Sequence, residues 1–295
     1  MPAAATVGLS SQQEFPVSNY DLAATLSSGQ AFRWRKAGST WAGVVDSRWV
    51  SLEGKGQRIC ATVAEPVADW AWLAQYLQLE CLLDDVISSF PVDKALAQAV
   101  KECRGLRLLR QDFWECLASF ILSSTKQIVQ IQQVVERLCE RYGEPLVVPA
   151  GAAPQFGFPR AERLAEIPEH ELRKCGMGFR APYLAETAGM IARGELELNR
   201  LSALNLGEAR AELMRLPGVG RKIADCVLLF AAGQPAAFPV DVWVLKILRE
   251  LYFGGREVPL REVIAFTETH FGPHAGYAQQ YLFHWARARA GRVSN

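Results

Sequence analysis

Leu216-Pro-Gly-Val-Gly-Arg-Lys-Ile-Ala-Asp225, followed one helix-length later by Phe238-Pro-Val-Asp241, is the stretch that decides how this chain folds. Proline or glycine inside a helix costs roughly 1–3 kcal/mol. Yet apolar-periodic segments flank Pro217, Gly218 and Gly220, at residues 208–216 before them and 222–232 after. The pattern predicts helix, tight glycine turn, helix. Two glycines free to take positive φ would let the backbone N–H groups of Gly218, Val219 and Gly220 point outward together, at the positive end of the second helix. Such a nest suits a phosphate. The same glycines also suit an ordinary αα-corner, and alone they do not separate the two.

Lys222 tips the reading toward chemistry. It stands in the first turn of the second helix, where the macrodipole disfavours a cation and so favours the neutral amine. A neutral lysine is a nucleophile that can attack a carbon centre and form a Schiff base. Cys226 lies one turn further on and shares its face. Asp241 precedes the apolar-periodic run 242–251 and is the expected N-cap of another helix. A cap contributes about 1 kcal/mol and needs no further role. Beside a helix-start lysine, it reads more as an anchored carboxylate. Lys222 and Asp241 are the candidate catalytic pair.

Outward from this core the chain divides by texture. Residues 1–14 are small and polar, without a basic n-region or long apolar core, and are expected to form a flexible tail. Residues 15–103 predict an N-terminal antiparallel β domain with flanking helices. Its β-rich runs are Phe32-Arg-Trp34 and residues 41–45, 49–53 and 59–63, punctuated by Gly38-Ser39, Asp46-Ser47 and Gly54-Lys-Gly56. Such a sheet needs cover on one face, and residues 69–77 read as a helix able to supply it.

Residues 104–295 turn helical. Phe113, Cys116, Leu117, Phe120 and Ile121 recur as one buried helical face. Ser123-Ser-Thr-Lys-Gln127 interrupts, and residues 128–139 resume the period. Residues 143–159, rich in Pro, Gly and Ala, read as a connection. Further helices are expected at 161–167, 169–175, 183–191, 201–216 and 275–285. The fold class is α+β, an antiparallel sheet packed on a mostly helical body, with the hairpin at 206–233 and the aspartate loop at 235–241.

Net charge is +1, so any nucleic-acid footprint must be local. Seven cysteines, an odd number without CxxC spacing, argue against a disulfide framework and for a reducing, intracellular setting. No segment is long enough to span a bilayer. His270, His274 and His284 show no ligand or triad spacing.

Residues 216–241 resemble the helix-hairpin-helix, Gly/Pro-rich loop and aspartate signature (HhH-GPD) of the DNA glycosylase superfamily, in which Lys222 marks the bifunctional glycosylase/lyase type. Other stretches narrow the likeness to the 8-oxoguanine DNA glycosylases that carry an N-terminal β domain. They are Ser28-Gly-Gln-Ala-Phe-Arg-Trp34, Leu108-Leu-Arg-Gln-Asp112, Glu115-Cys-Leu-Ala-Ser-Phe-Ile-Leu-Ser-Ser124, Gly176-Met-Gly-Phe-Arg-Ala181 and Gly272-Pro-His-Ala-Gly-Tyr-Ala-Gln279. The likeness runs over nearly the whole chain.

The resemblance implies a monomeric enzyme acting on damaged double-stranded DNA inside the cell. It also implies a lesion pocket formed by the Gly29 carbonyl, Cys226, Gln279 and Phe283. Oxidised guanine carries a proton on N7 where guanine has a lone pair, so a carbonyl there rewards the lesion and repels the normal base. Gly29 taken alone reads as a plain turn glycine.

By the same likeness, residues 123–127 form a tip that fills the gap left by a flipped base, and Gly218–Gly220 grips phosphate. The tip departs from the family pattern. Thr125, Lys126 and Gln127 stand where asparagines are expected, and Gln130 stands where an arginine would read the opposite cytosine. Arg180 matches a second cytosine-reading arginine, and Phe179 replaces a tyrosine. Opposite-base preference is therefore expected to be relaxed. Taken alone, Phe179 reads equally as a core aromatic and Arg180 as a surface cation.

The four-cysteine iron–sulfur loop of related glycosylases is not expected, because no cysteine follows Cys226. A monovalent cation on the main-chain carbonyls of Met214, Leu216 and Val219 is consistent with the family. Two other functions stay open: a glycosylase for another damaged purine, and a non-catalytic hairpin protein that only binds DNA.

Overall fold

The computed structural model describes residues 9–124 and 126–291. Five antiparallel strands form the N-terminal sheet in the spatial order β1-β5-β4-β3-β2. They are β1 (Ser10–Pro16), β2 (Arg35–Ala37), β3 (Thr40–Val45), β4 (Arg48–Lys55) and β5 (Arg58–Val67). Alternation sets the inner face: Val50, Leu52, Ile59, Ala61 and Val63 are all buried. Register places Leu52 between Trp41 and Ala61, so one stripe of side chains crosses three strands. Helices α1 (Leu22–Ser27) and α2 (Ala71–Leu77) cover that face with Leu22, Leu26, Leu73 and Leu77.

Two expectations about this domain are corrected. Strand β1 begins inside residues 1–14, the stretch read as a flexible tail, and runs on to Pro16. Its order comes from pairing with β5, from Gln12 opposite Thr62 to Pro16 opposite Arg58, and a polar edge strand carries little hydrophobic signal. Phe32-Arg-Trp34 precedes β2 rather than forming a strand. Its two aromatics plug different cores, Trp34 that of the sheet and Phe32 that of the helical body.

The helical body comprises α3 (Leu83–Ser88), α4 (Lys94–Glu102), α5 (Phe113–Leu122), α6 (Ile128–Tyr142), α7 (Ala161–Ala165), α8 (Glu169–Leu172), α9 (Ala181–Ala192), α10 (Leu206–Met214), α11 (Arg221–Val227), α12 (Val242–Tyr252), α13 (Leu260–His270) and α14 (Ala275–Arg289). At its centre is α5, capped by Asp112 and buried on every side from Cys116 to Leu122. Helices α3 and α4, drawn with the N-terminal domain from sequence, bury Leu83, Val86, Leu96 and Ala99 in this same core. Phe32 meets Phe120 edge-on at 5.4 Å. The sheet domain and the body thus share a seam along α5.

The expected helix 201–216 is two elements, a 3-10 turn at Leu198–Ala203 and then α10. Asn205 accepts from the Glu208 amide at 3.0 Å while the Glu208 carboxylate reaches back to the Asn205 amide, a reciprocal cap that starts the helix afresh. The expected helix 169–175 ends early, as α8 passes into a wide turn (Arg173–Met177) where Gly176 takes φ 85°. Within the 143–159 connection, Pro145–Leu146 pairs with Gln155–Phe156. Among the described residues no helix is long and apolar enough to cross a membrane.

Candidate active site

The hairpin joins α10 to α11. Gly218 takes φ +73°, and a Cβ there would lie 2.8 Å from the Tyr183 ring, so conformation and packing both call for glycine. Gly220 corrects the expectation of two positive-φ glycines. It is the N-cap of α11 at φ −92°, ψ 177°, the extended backbone that N-caps adopt. Nothing lies within 4 Å of where its Cβ would be. Glycine offers no capping oxygen, and no side chain caps the first N–H groups of α11. The expected nest of three outward amides is corrected at Val219, whose N–H donates to the Leu216 carbonyl at 3.1 Å.

Behind the hairpin, the buried Asp225 carboxylate accepts from Arg210 at 2.7 Å and pairs with Arg221 at 3.5 Å. Arg221 also binds Glu268 at 2.5 Å. These contacts tie α10, α11 and α13 together. Burial pushes the Asp225 carboxyl above the usual carboxylate range, against the pull of the two arginines.

The Lys222 amine donates to Ser123 Oγ at 3.1 Å and sits 5.0 Å above the Phe120 ring centre, so the C-terminal end of α5 fixes its position. The Ser123 hydroxyl in turn donates to the Phe120 carbonyl at 2.7 Å. Asp241 is the N-cap of α12, its Oδ1 accepting from the Val244 amide at 2.7 Å. Lys222 and Asp241 line one cleft of about 480 Å³, together with Gly29, Cys226, Gln279 and Phe283. Burial pushes the Cys226 thiol up to about 12; the Lys222 charge opposes this shift and the Asp241 charge adds to it. Both charges therefore act across the same small volume. Among the described residues no cluster of His, Cys, Asp and Glu could hold a metal ion.

At the far end of the cleft, Gly29 takes φ +80°. A Cβ there would lie 2.5 Å from Ile128 Cδ1 and 3.5 Å from the Phe283 ring, so only glycine lets the loop come this close. Gln279 is buried, and its Oε1 meets no donor among the described residues. Such an orphaned acceptor is costly unless something that enters the cleft satisfies it. The half-buried Phe283 ring lies under the Arg287 guanidinium at 5.3 Å.

Sequence reasoning did not foresee the roles of Ser123, Phe120, Trp243, Gln280 and Arg287 in lining this cleft. Ser123 stood in the polar break already noticed, but no local spacing connects it to a lysine 99 residues away.

Lys126 and Gln127 sit on the cleft wall at the start of α6. Thr125 lies outside the described residues. Gln130 Oε1 accepts from the Gln127 amide at 3.0 Å, so the side chain read as standing in for a cytosine-reading arginine helps cap its own helix. Phe179 is 58% exposed, which overturns its reading as a core aromatic. Arg180, by contrast, is buried rather than a surface cation. It donates to the Ser124 carbonyl, and its guanidinium lies 4.2 Å from the Phe179 ring centre. Burial lowers the Arg180 pKa from the ordinary guanidinium value.

A hairpin whose second helix brings a lysine into one cleft with an N-capping carboxylate, beside a loop lent by the sheet domain, defines the architecture of a helix-hairpin-helix DNA glycosylase. Comparison with known proteins is more specific. Residues 13–117 match the family described as 8-oxoguanine DNA glycosylase, N-terminal domain, and residues 118–266 match the HhH-GPD superfamily base excision DNA repair proteins. A "Probable N-glycosylase/DNA lyase" of Methanothermobacter thermautotrophicus is 31% identical over 92% of this chain and 95% of its own length. The N-glycosylase/DNA lyase OGG1 of Arabidopsis thaliana is 32% identical over 88% of this chain and 75% of its own. The solved structure of Clostridium acetobutylicum 8-oxoguanine glycosylase/lyase, in complex with double-stranded DNA containing cytosine opposite 8-oxoG, superposes with a TM-score of 0.87 at 30% identity, covering 96% of this chain and 99% of that one. The chain belongs to the 8-oxoguanine DNA glycosylases of the HhH-GPD superfamily.

Proposed function

We propose that this protein excises 8-oxoguanine from duplex DNA and then cleaves the abasic strand through a Schiff base on Lys222. The observation that carries this reading is that the Lys222 amine and the Asp241 carboxylate, each delivered by the start of a different helix, line one cleft. Phosphate rests on the hairpin backbone at Gly218–Gly220, where no side chain caps the start of α11, and Phe179 with Thr125–Gln127 fills the stack left by the rotated nucleotide. The lesion lies between Cys226 and Phe283. Its edge satisfies Gln279, and its N7 proton is donated to the Gly29 carbonyl.

As the bond from C1′ to the base breaks, its electron pair leaves with the base and positive charge develops on the sugar. The fixed Asp241 carboxylate stabilises that charge. The Lys222 nitrogen bonds to C1′, the sugar ring opens, and an imine forms. Loss of a C2′ proton then expels the 3′ phosphate. A monovalent cation, if held, would sit on the carbonyls of Met214, Leu216 and Val219, at the end of α10 and in the turn after it.

Borohydride trapping on 8-oxoguanine duplex tests the chemistry. Wild type is captured covalently, and Lys222→Gln binds the duplex without being captured. A trapped Lys222→Gln adduct would remove the assigned nucleophile. With Gln130 engaged in the α6 cap, excision should differ little among duplexes bearing C, T, G or A opposite the lesion, and a strong preference for C would contradict this. A nicking assay on lesion-bearing and undamaged duplex separates the reading from a hairpin protein that only binds. A panel of alkylated purines separates it from a glycosylase of other specificity.

A further inference from the structure

The loop that carries Gly29 is held by glutamines. Gln30 is fully buried, and the two hydrogens of its amide nitrogen serve Thr25 O (2.9 Å) and Arg107 O (2.8 Å), with Ser28 Oγ also in range at 3.0 Å, while its oxygen accepts from the Leu109 amide at 2.7 Å. On the C-terminal side of Gly29, Gln111 Nε2 donates to Gln30 O at 2.7 Å. On the N-terminal side, Gln280 Nε2 donates to Ser28 O at 3.1 Å. Gln280 is 2% exposed and reaches across the seam from α14, from a position 252 residues away in sequence. Both carbonyls flanking Gly29 are therefore clamped by side-chain amides.

We infer that Gln280 is a positioning residue for lesion recognition: holding the Ser28–Gly29 peptide fixes Gly29 φ, and with it the direction in which the next peptide presents the Gly29 carbonyl to the N7 proton of the flipped base. The inference rests on the proposed role of that carbonyl. The physical need comes from glycine itself. A glycine at φ +80° has no Cβ to resist rotation of the peptide before it, and rotating that peptide changes Ser28 ψ and Gly29 φ together. A hydrogen bond to Ser28 O opposes this rotation, and Ser28 is fully buried, so no solvent molecule replaces the lost donor. Gln279, the preceding residue, faces the same cleft with its unsatisfied oxygen. One turn of α14 thus supplies both a group for the base edge and a clamp on the opposite wall.

The test compares two activities of the same protein. Gln280→Met keeps the length and burial of the side chain but removes the donor. Single-turnover excision of 8-oxoguanine should fall about tenfold, the weight of one buried hydrogen bond. β-Elimination on a duplex with a preformed abasic site, which has no base for Gly29 to read, should stay within about twofold of wild type. Gln280→Glu is the second variant. Its carboxyl donates to Ser28 O only when protonated, so excision relative to wild type should recover as pH falls. Equal loss of both activities in Gln280→Met would make Gln280 merely structural, and undiminished excision would remove the clamp altogether; either result overturns the inference. If wild type cleaves abasic sites yet leaves 8-oxoguanine in place, the substrate reading falls. If wild type excises and the variant matches it, the clamp alone falls.

Discussion

Asp241 caps α12 and is proposed to stabilise the charged sugar, and two substitutions tell the two roles apart. Its Oδ1 caps α12 through the 2.7 Å bond from the Val244 amide. Asparagine keeps a capping oxygen and ranks with aspartate at N-caps, so Asp241→Asn should change stability by less than about 0.5 kcal/mol. Asp241→Ala removes the cap and should cost about 1 kcal/mol, a fall in Tm of roughly 2–4 °C for a chain of this size. Catalysis should not follow that order. Both variants delete the carboxylate facing the sugar, where preorganised charge is worth roughly 3–4 kcal/mol, so excision should slow by about 10²–10³-fold in each. The assay pairs single-turnover release of 8-oxoguanine with thermal melting of the same preparations. An asparagine variant that excises within about threefold of wild type would reduce Asp241 to a cap and refute its electrostatic role.

The hairpin glycines should respond in opposite ways. Gly218→Ala forces a positive φ and meets the Tyr183 ring, and should cost about 2–4 kcal/mol by thermal melting. Gly220→Ser adds a capping oxygen in open space and should leave stability level or slightly raised, while weakening binding to duplex; unchanged binding would deny the hairpin its phosphate grip. Phe179→Ala removes a 58% exposed ring and should barely move Tm, yet lower affinity for lesion duplex about tenfold in a gel-shift titration. Because burial holds the Cys226 thiol at about 12, iodoacetamide at pH 8 should modify the partly exposed Cys60 and Cys81 first; labelling of Cys226 should rise with pH as thiolate forms, and equal rates at pH 8 would contradict the burial argument.

Much of the site was legible because local physics writes it into local sequence. Pro217 and Gly218 between two periodic runs could only be a turn, and Asp241 ahead of an apolar run caps its helix as expected. The alternating runs of β3 to β5 and the buried face of α5 follow from period alone. What escaped was either non-local or weakly marked. Gly220 was assigned a positive φ because glycine permits one, whereas its place as an N-cap requires extended backbone. Arg180 reads by resemblance as a cytosine-reading arginine and taken alone as a surface cation, because nothing near it in sequence shows the Ser124 carbonyl that takes its guanidinium out of solvent. Asn205 and Glu208 did carry a capping-box signal, but it lay inside an otherwise helical run. Neither Ser123 beneath Lys222 nor Gln280 on Ser28 has any signature in spacing, since each contact is made by packing alone.

The two helix starts at the cleft show how a nearly neutral protein can meet a polyanion and a developing cation in one place. At α12 the Val244 amide is met from within, by a carboxylate that becomes rigid in doing so and stands beside the cleft. At α11 the cap is glycine, so the donors stay unmet by any capping side chain and remain available to phosphate. The nearby arginines cannot substitute freely for those donors: Arg210 is held by Asp225, and Arg221 is shared between Asp225 and Glu268. Their charge locks the hairpin's shape, so the proposed phosphate grip falls to the backbone. A grip made of N–H groups is indifferent to base sequence and fixed in position, which is what an enzyme needs when it must hold any duplex in register while a single nucleotide is turned toward Lys222.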